Sequence, residues 1–123
     1  MLNLDTHVLL AALMDSLRPG ERALLESDEW AISGLVLWEI AKLSSLGRIK
    51  VRVDDSAFTE LLRRVRILPL TIEVAMAHRR RLDFRSDPAD EIIAATSIVH
   101  DAPLLTMDAR LLQSGVVPRA RRG

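Results

Sequence analysis

The stretch Met1-Leu2-Asn3-Leu4-Asp5-Thr6-His7-Val8-Leu9-Leu10-Ala11-Ala12-Leu13 decides how the rest of the chain is read. A short apolar run is cut off by an acidic residue, and an Ala- and Leu-rich segment of helical character follows at once. This is strand, acidic turn, helix. The same alternation returns downstream. Residues Arg18-Pro-Gly-Glu21 form a break before a short helix from Glu21 to Ser27, and Trp30-Ala-Ile32 is a second strand. Ser33-Gly34 then caps a helix in which Val36, Ile40 and Leu43 recur at i, i+4 and i+7, with Gly47 closing it.

Asp54-Asp55 marks the start of an amphipathic helix with Phe58, Leu61, Leu62 and Val65 at helical spacing. Arg66 to Leu70 reads as a brief strand, and Thr71 caps the helix that ends in the Arg79 to Arg81 run. Pro88 at a first helical position opens another helix, whose stretch from Ile92 to Val99 is apolar nearly all round and is expected to be buried. Pro103 to Thr106 is a strand, Asp108 to Gln113 a short helix, and Gly115 to Val117 a last small strand. Strands alternating with helices through short crossovers indicate an α/β fold. The expectation is three layers, with a short-stranded parallel sheet of about five strands covered by helices on both faces. Residues 1–117 are expected to form one domain, and 118–123 a basic, disordered tail.

Composition excludes several classes of function. The chain has 123 residues, 49% hydrophobic, which suffices for a core without disulfide or zinc staples. Cysteine is absent, so thiol catalysis and Cys-based metal sites fall away, in keeping with a reducing cytoplasm. His7, His78 and His100 are far apart and read as structural. No apolar run approaches the ~20 residues needed to span a bilayer, and the N-terminus has no export pattern. The 17 basic and 17 acidic side chains cancel, which argues against a general nucleic-acid coat. Arginine nevertheless clusters at Arg63, Arg64 and Arg66, at Arg79, Arg80, Arg81 and Arg85, and at Arg119, Arg121 and Arg122. The last two groups are candidate phosphate contacts, the alternative being solvated faces.

Four acids fall just after strands or on the helices that follow them: Asp5, Glu39, Asp90 and Asp108. In an open parallel sheet, ligands bind outside the carboxyl ends of the strands, where these segments gather. Each acid also has a local explanation. Asp5 and Asp108 suit N-caps, Asp90 suits a variant capping box with Asp87, and Glu39 suits an ion pair with Lys42. Glu39, however, lies at the rim of the apolar stripe of its helix, facing the sheet edge. Carboxylates that share a pocket raise one another's pKa and need a cation. Without His or Cys to help, hard oxygens favour Mg2+ or Mn2+, and such a site suits phosphodiester hydrolysis.

Asn3-Leu-Asp5-Thr6-His-Val-Leu, Ile32-Ser-Gly-Leu-Val-Leu-Trp38-Glu39-Ile40 with Leu46-Gly47-Arg48, Asp87-Pro88-Ala89-Asp90 leading into Ile92-Ile-Ala-Ala-Thr96, and Leu105-Thr106-Met-Asp108 together resemble the PIN domain. More narrowly, the chain is similar to VapC-type toxins of type II toxin–antitoxin pairs, over nearly its whole length. The resemblance implies a magnesium-dependent endoribonuclease with Asp5, Glu39, Asp90 and Asp108 around the metal. Asp5 and Asp90 would hold it most directly, Glu39 would contact it or its water, and Asp108 would act through water or complete a second site. Thr6, Ser33 and Thr106 match small hydroxyl positions that orient carboxylates or waters. A homodimer, an RNA substrate and a small antitoxin partner are implied as well.

The chain departs from the family pattern in reading Asp87-Pro88-Ala89-Asp90-Glu91 where many relatives have an aromatic and then an arginine. Glu91 is expected to face solvent, where it favours the helix dipole. The tryptophan that many relatives carry near Ala11 is also missing, which bears on packing. Two other classes of function compete. One is a phosphoaspartate-type phosphatase or receiver module using Asp5, although the chain lacks a paired acid there, and its last lysine is Lys50. The other is a non-catalytic α/β interaction module whose acids are caps and whose arginines bind a partner.

Overall fold

The structure is a computed structural model and describes residues 1–120. Four strands, β1 (Leu2–Leu4), β2 (Trp30–Ser33), β3 (Val65–Leu68) and β4 (Leu104–Leu105), form one sheet in the order β3-β2-β1-β4. Every pairing is parallel, with Asn3 in register with Ala31 on one side and Leu104 on the other. Seven helices among the described residues connect them: α1 (Thr6–Leu13), α2 (Pro19–Glu26), α3 (Gly34–Ser45), α4 (Ser56–Leu62), α5 (Ile72–Arg81), α6 (Pro88–His100) and α7 (Ala109–Leu112). The steps from β1 to β2 and from β2 to β3 run one way across the sheet, and the step from β3 to β4 returns past both. Helices α5 and α6 pack on one another, and α6 also meets α3 and β2. The connections diverge between β1 and β4, which opens a crevice at their carboxyl ends.

Local chemistry explains where the helices start. Asp5, Ser33, Thr71, Asp87 and Asp108 each accept a hydrogen bond from a backbone N–H of the first turn, at 2.8, 3.2, 3.2, 3.0 and 2.9 Å. Gly47, at φ 71°, follows the end of α3 in the left-handed region that glycine tolerates. Leu4, Val8, Leu9, Ile32, Val36, Ile40, Phe58, Ile93, Leu104 and Leu105 form the centre of the core. As expected, α6 is buried from Ile93 to Ile98. Ala77 and Ala95 let α5 approach it closely in a second small cluster with Val74. Asn3 locks β1 to α6, its Nδ2 donating to the Ile93 carbonyl at 3.1 Å and to Ser97 Oγ at 2.8 Å.

Several boundaries differ from the sequence expectation. Val65 belongs to β3 rather than to α4, because it pairs with Trp30. The helix after the first break begins at Pro19, since proline suits the first turn itself. Residues 115–117 are not a strand. The fifth strand is reduced to one bridge between Leu104 and Arg119, with the Leu104 N–H donating to Pro118 and the Ala120 N–H to Leu104. Residues 118–120 are therefore tied to the sheet edge, beyond the expected domain boundary at 117. Arg121 and Arg122 lie outside the described residues. Among the described residues, no helix is long and apolar enough to cross a membrane.

Candidate metal centre

The loop after β1 places Asp5 at the floor of the crevice, 4% exposed. Its Oδ1 accepts from the Thr6 N–H at 2.8 Å, and its Oδ2 accepts from the Thr106 hydroxyl at 2.6 Å. Asp5 is thus an N-cap, as local chemistry suggests, and is also held by Thr106, just past the end of β4 and 101 residues away. The Thr6 hydroxyl, buried one residue on, donates to Glu39 Oε1 at 2.6 Å. Glu39 therefore turns toward β1 and makes no ion pair with Lys42, whose ammonium instead lies 4.9 Å from the centre of the Trp38 ring.

Asp90 sits half-buried on the first turn of α6, where its Oδ2 accepts from the Ser86 hydroxyl at 3.1 Å. It does not reach back to the backbone of the capping residue. Glu91 takes the reaching role: its Oε2 accepts from the Ser86 N–H at 3.0 Å, and its Oε1 lies 2.9 Å from His78 Nε2. The expectation that Glu91 faces solvent is corrected accordingly. It faces α5, and its hydrogen bonds from His78 and Ser86 hold its carboxyl below the usual range. His78 has a structural partner, whereas His7 and His100 are exposed.

Glu39, Asp87 and Asp90 each bring a carboxylate oxygen to within 4.8 Å of the other two. The sequence marks Asp87 only as a cap. It does cap α6 through Oδ1, but the position that caps the helix also faces Glu39, and the capping pattern itself is the only sequence signal that could have found it. Burial pushes Asp90 up to about 7, reinforced by the charges of Asp87 and Asp5. Burial also raises Glu39, with Asp5 and Asp87 adding to the effect and the Thr6 hydrogen bond opposing it. No Lys or Arg forms an ion pair with Asp5, Glu39, Asp87 or Asp90 among the described residues. The donor set is hard oxygen throughout, with unbalanced negative charge, and it fits a divalent cation such as Mg2+.

The other predicted positions are distributed differently. Asp108 caps α7, its Oδ1 accepting from the Arg110 N–H at 2.9 Å, and its link to the crevice is its own N–H on Thr106 Oγ1 at 3.0 Å. Ser33 caps α3 with its buried hydroxyl, which accepts from the Leu35 N–H and hydrogen-bonds to none of the four acids. Arg79, Arg80 and Arg81 form the last turn of α5, and Arg85 lies in the loop that follows. Arg80 and Arg81 border surface cavities with Val99, Ile98 and Asp101, at the C-terminal end of α6, whereas Asp87 and Asp90 lie at its start. Arg119 faces a different cavity, with Arg18 and Thr106.

A family model described as PIN domain matches residues 3–115. Ribonuclease VapC22 of Mycobacterium tuberculosis (strain ATCC 25618 / H37Rv) is 33% identical over 113 residues, covering 88% of this chain and 87% of that protein. Among solved structures, VapBC2 from Rickettsia felis bound to a DNA fragment from its promoter aligns with a TM-score of 0.75 at 20% identity, covering 98% of each chain. A toxin–antitoxin complex from Klebsiella pneumoniae aligns at 0.69 and 19% identity, over 100% of this chain and 98% of that one. At these identities the two structures show the fold.

Proposed function

The chain belongs to the PIN-domain family, alongside the VapC ribonucleases, and from that premise we propose that it is a Mg2+- or Mn2+-dependent endoribonuclease, the toxin of a type II toxin–antitoxin pair. One observation carries the proposal: three carboxylates, Glu39, Asp87 and Asp90, share a space of 4.8 Å with no cationic side chain paired to them among the described residues. These three would hold the ion, with Asp5 fixed behind them and Asp108 one hydrogen bond further out. When bound, a divalent ion there supplies Lewis acidity to a phosphodiester and acidifies water.

The residues of the chain have definite tasks around that chemistry. Thr6 orients Glu39, Ser86 orients Asp90 and Thr106 orients Asp5, so each carboxylate presents its free lone pairs from a fixed rotamer. Asp90 is pushed up to about 7 in the free protein, so its proton would be displaced to solvent on cation binding, and ion binding is expected to strengthen as pH rises through about 7. The phosphoaspartate alternative asks Asp5 to attack, yet Asp5 is buried and pinned on both sides by Thr6 and Thr106. The RNA substrate and the antitoxin partner are supported by the VapC22 relative and by structural neighbours named as toxin–antitoxin assemblies.

Calorimetric titration of Mn2+ into the free protein, with Asp90→Asn alongside and both incubated on structured RNA, tests the proposal. Ion binding and cleavage are expected to vanish together in the variant. A folded wild type that binds no Mn2+ would overturn it and favour the interaction module.

A further inference from the structure

A cavity of about 550 Å3 lies at the carboxyl end of β4, lined by Arg18, Leu105, Thr106, Met107, Leu112, Arg119 and Ala120. Its volume is within the ~300–1,000 Å3 range of small-ligand pockets. Two arginines from distant parts of the sequence face it, and neither forms an ion pair among the described residues. Arg119 is set in the wall, its guanidinium donating to the Leu112 carbonyl. Arg18 stands at the N-cap of α2, and its backbone N–H donates to Glu21, so the fold fixes its backbone while the residue as a whole stays exposed. No carboxylate lines the cavity among the described residues.

The floor connects this cavity to the acidic crevice. Thr106 lines it and donates to Asp5 at 2.6 Å. A crevice of unpaired carboxylates repels a polyanion, so a strand that enters it needs cationic anchorage next door. The geometry points to the Arg18–Arg119 cavity as a subsite for a backbone phosphate of the RNA strand, adjacent to the position where the strand is cut. This inference rests on the nuclease assignment above. The two guanidiniums offer the forked donors that suit a phosphate, and Leu105, Met107, Leu112 and Ala120 offer apolar walls for the attached sugar. With no aromatic ring among the lining residues, the subsite has no stacking platform for a base and reads the backbone, not the sequence.

The test measures binding of a short single-stranded RNA by fluorescence anisotropy in EDTA across a salt series, and cleavage in Mg2+. Arg18→Ala alters an exposed side chain and carries the test alone if Arg119→Gln fails to fold; Arg18→Lys and the remote Arg64→Ala serve as comparisons. Arg18→Ala is expected to weaken binding about three- to tenfold. It should also flatten the salt slope by about 0.7 and raise KM for any RNA sequence, with kcat held. Arg18→Lys should restore the slope, and Arg64→Ala should change nothing at the active site. Unchanged binding, slope and KM in Arg18→Ala, beside a wild type that binds and cleaves RNA, would overturn the subsite and leave the nuclease assignment standing. Unchanged RNA binding with lost affinity for a polyglutamate peptide would overturn it in favour of a protein-docking role. A wild type that neither binds nor cleaves RNA would overturn both assignments.

Discussion

Replacing Asp90 by asparagine should make the metal-free protein more stable at pH 8 and should do almost nothing at pH 4. Asp90 is pushed up to about 7 from an ordinary value of 3.8, chiefly by burial and then by Asp87 and Asp5. A raised carboxyl binds its proton more tightly in the fold than in the unfolded chain. Its contribution is therefore fully present below about pH 4 and is lost as pH rises through about 7. Taken at face value, three pKa units correspond to about 4 kcal/mol, and solvent screening in a half-open crevice reduces this to about 1–2 kcal/mol. The amide introduced by Asp90→Asn keeps an acceptor for Ser86 and leaves the Asp87 cap untouched, while removing the charge. The expected gain is about 3–8 °C in Tm at pH 8 in EDTA, shrinking toward zero at pH 4. Added Mg2+ should close the gap by stabilising only the wild type. Thermal melts by circular dichroism at the two pH values decide the matter. A gap independent of pH, or a variant less stable at pH 8, would refute the reasoning that burial, with Asp87 and Asp5 beside it, penalises the Asp90 charge in the fold.

Three further outcomes follow from single contacts. Thr106→Val removes the donor to buried Asp5 and the acceptor for the Asp108 N–H, and should cost about 1.5–3 kcal/mol in urea denaturation, with Thr106→Ser recovering most of it. Asp108→Asn retains a side-chain cap for α7, so cleavage assays should show a much smaller loss than Asp90→Asn; equal losses would bring Asp108 into direct contact with the ion. Asp101 ends α6 at φ 48°, a left-handed conformation that glycine adopts freely, so Asp101→Gly should raise stability by about 0.5–1 kcal/mol without affecting metal binding, as urea denaturation and Mn2+ titration would show.

What could be read without coordinates was short-range. The strand, turn and helix at Met1 to Leu13, the caps at Ser33, Thr71, Asp87 and Asp108, and proline at the start of α6 depend on residues a few positions apart, so the α/β alternation was visible at once. Acids at strand ends were visible for the same reason, because parallel strands always deliver their following residues to one edge. Convergence at the strand ends was an expectation from position alone, and which carboxylates meet was not visible, since that depends on strand order and on the rotation of each helix about its axis. Only the sheet order β3-β2-β1-β4 brings Thr106 against Asp5, and only the rotation of α3 turns Glu39 to Thr6 instead of Lys42. Asp87 and Asp108 look alike in sequence, both capping residues ahead of a helix. The fold sends one into the carboxylate cluster and leaves the other tied to Arg110, because a cap fixes a backbone turn and says nothing about what lies across the crevice.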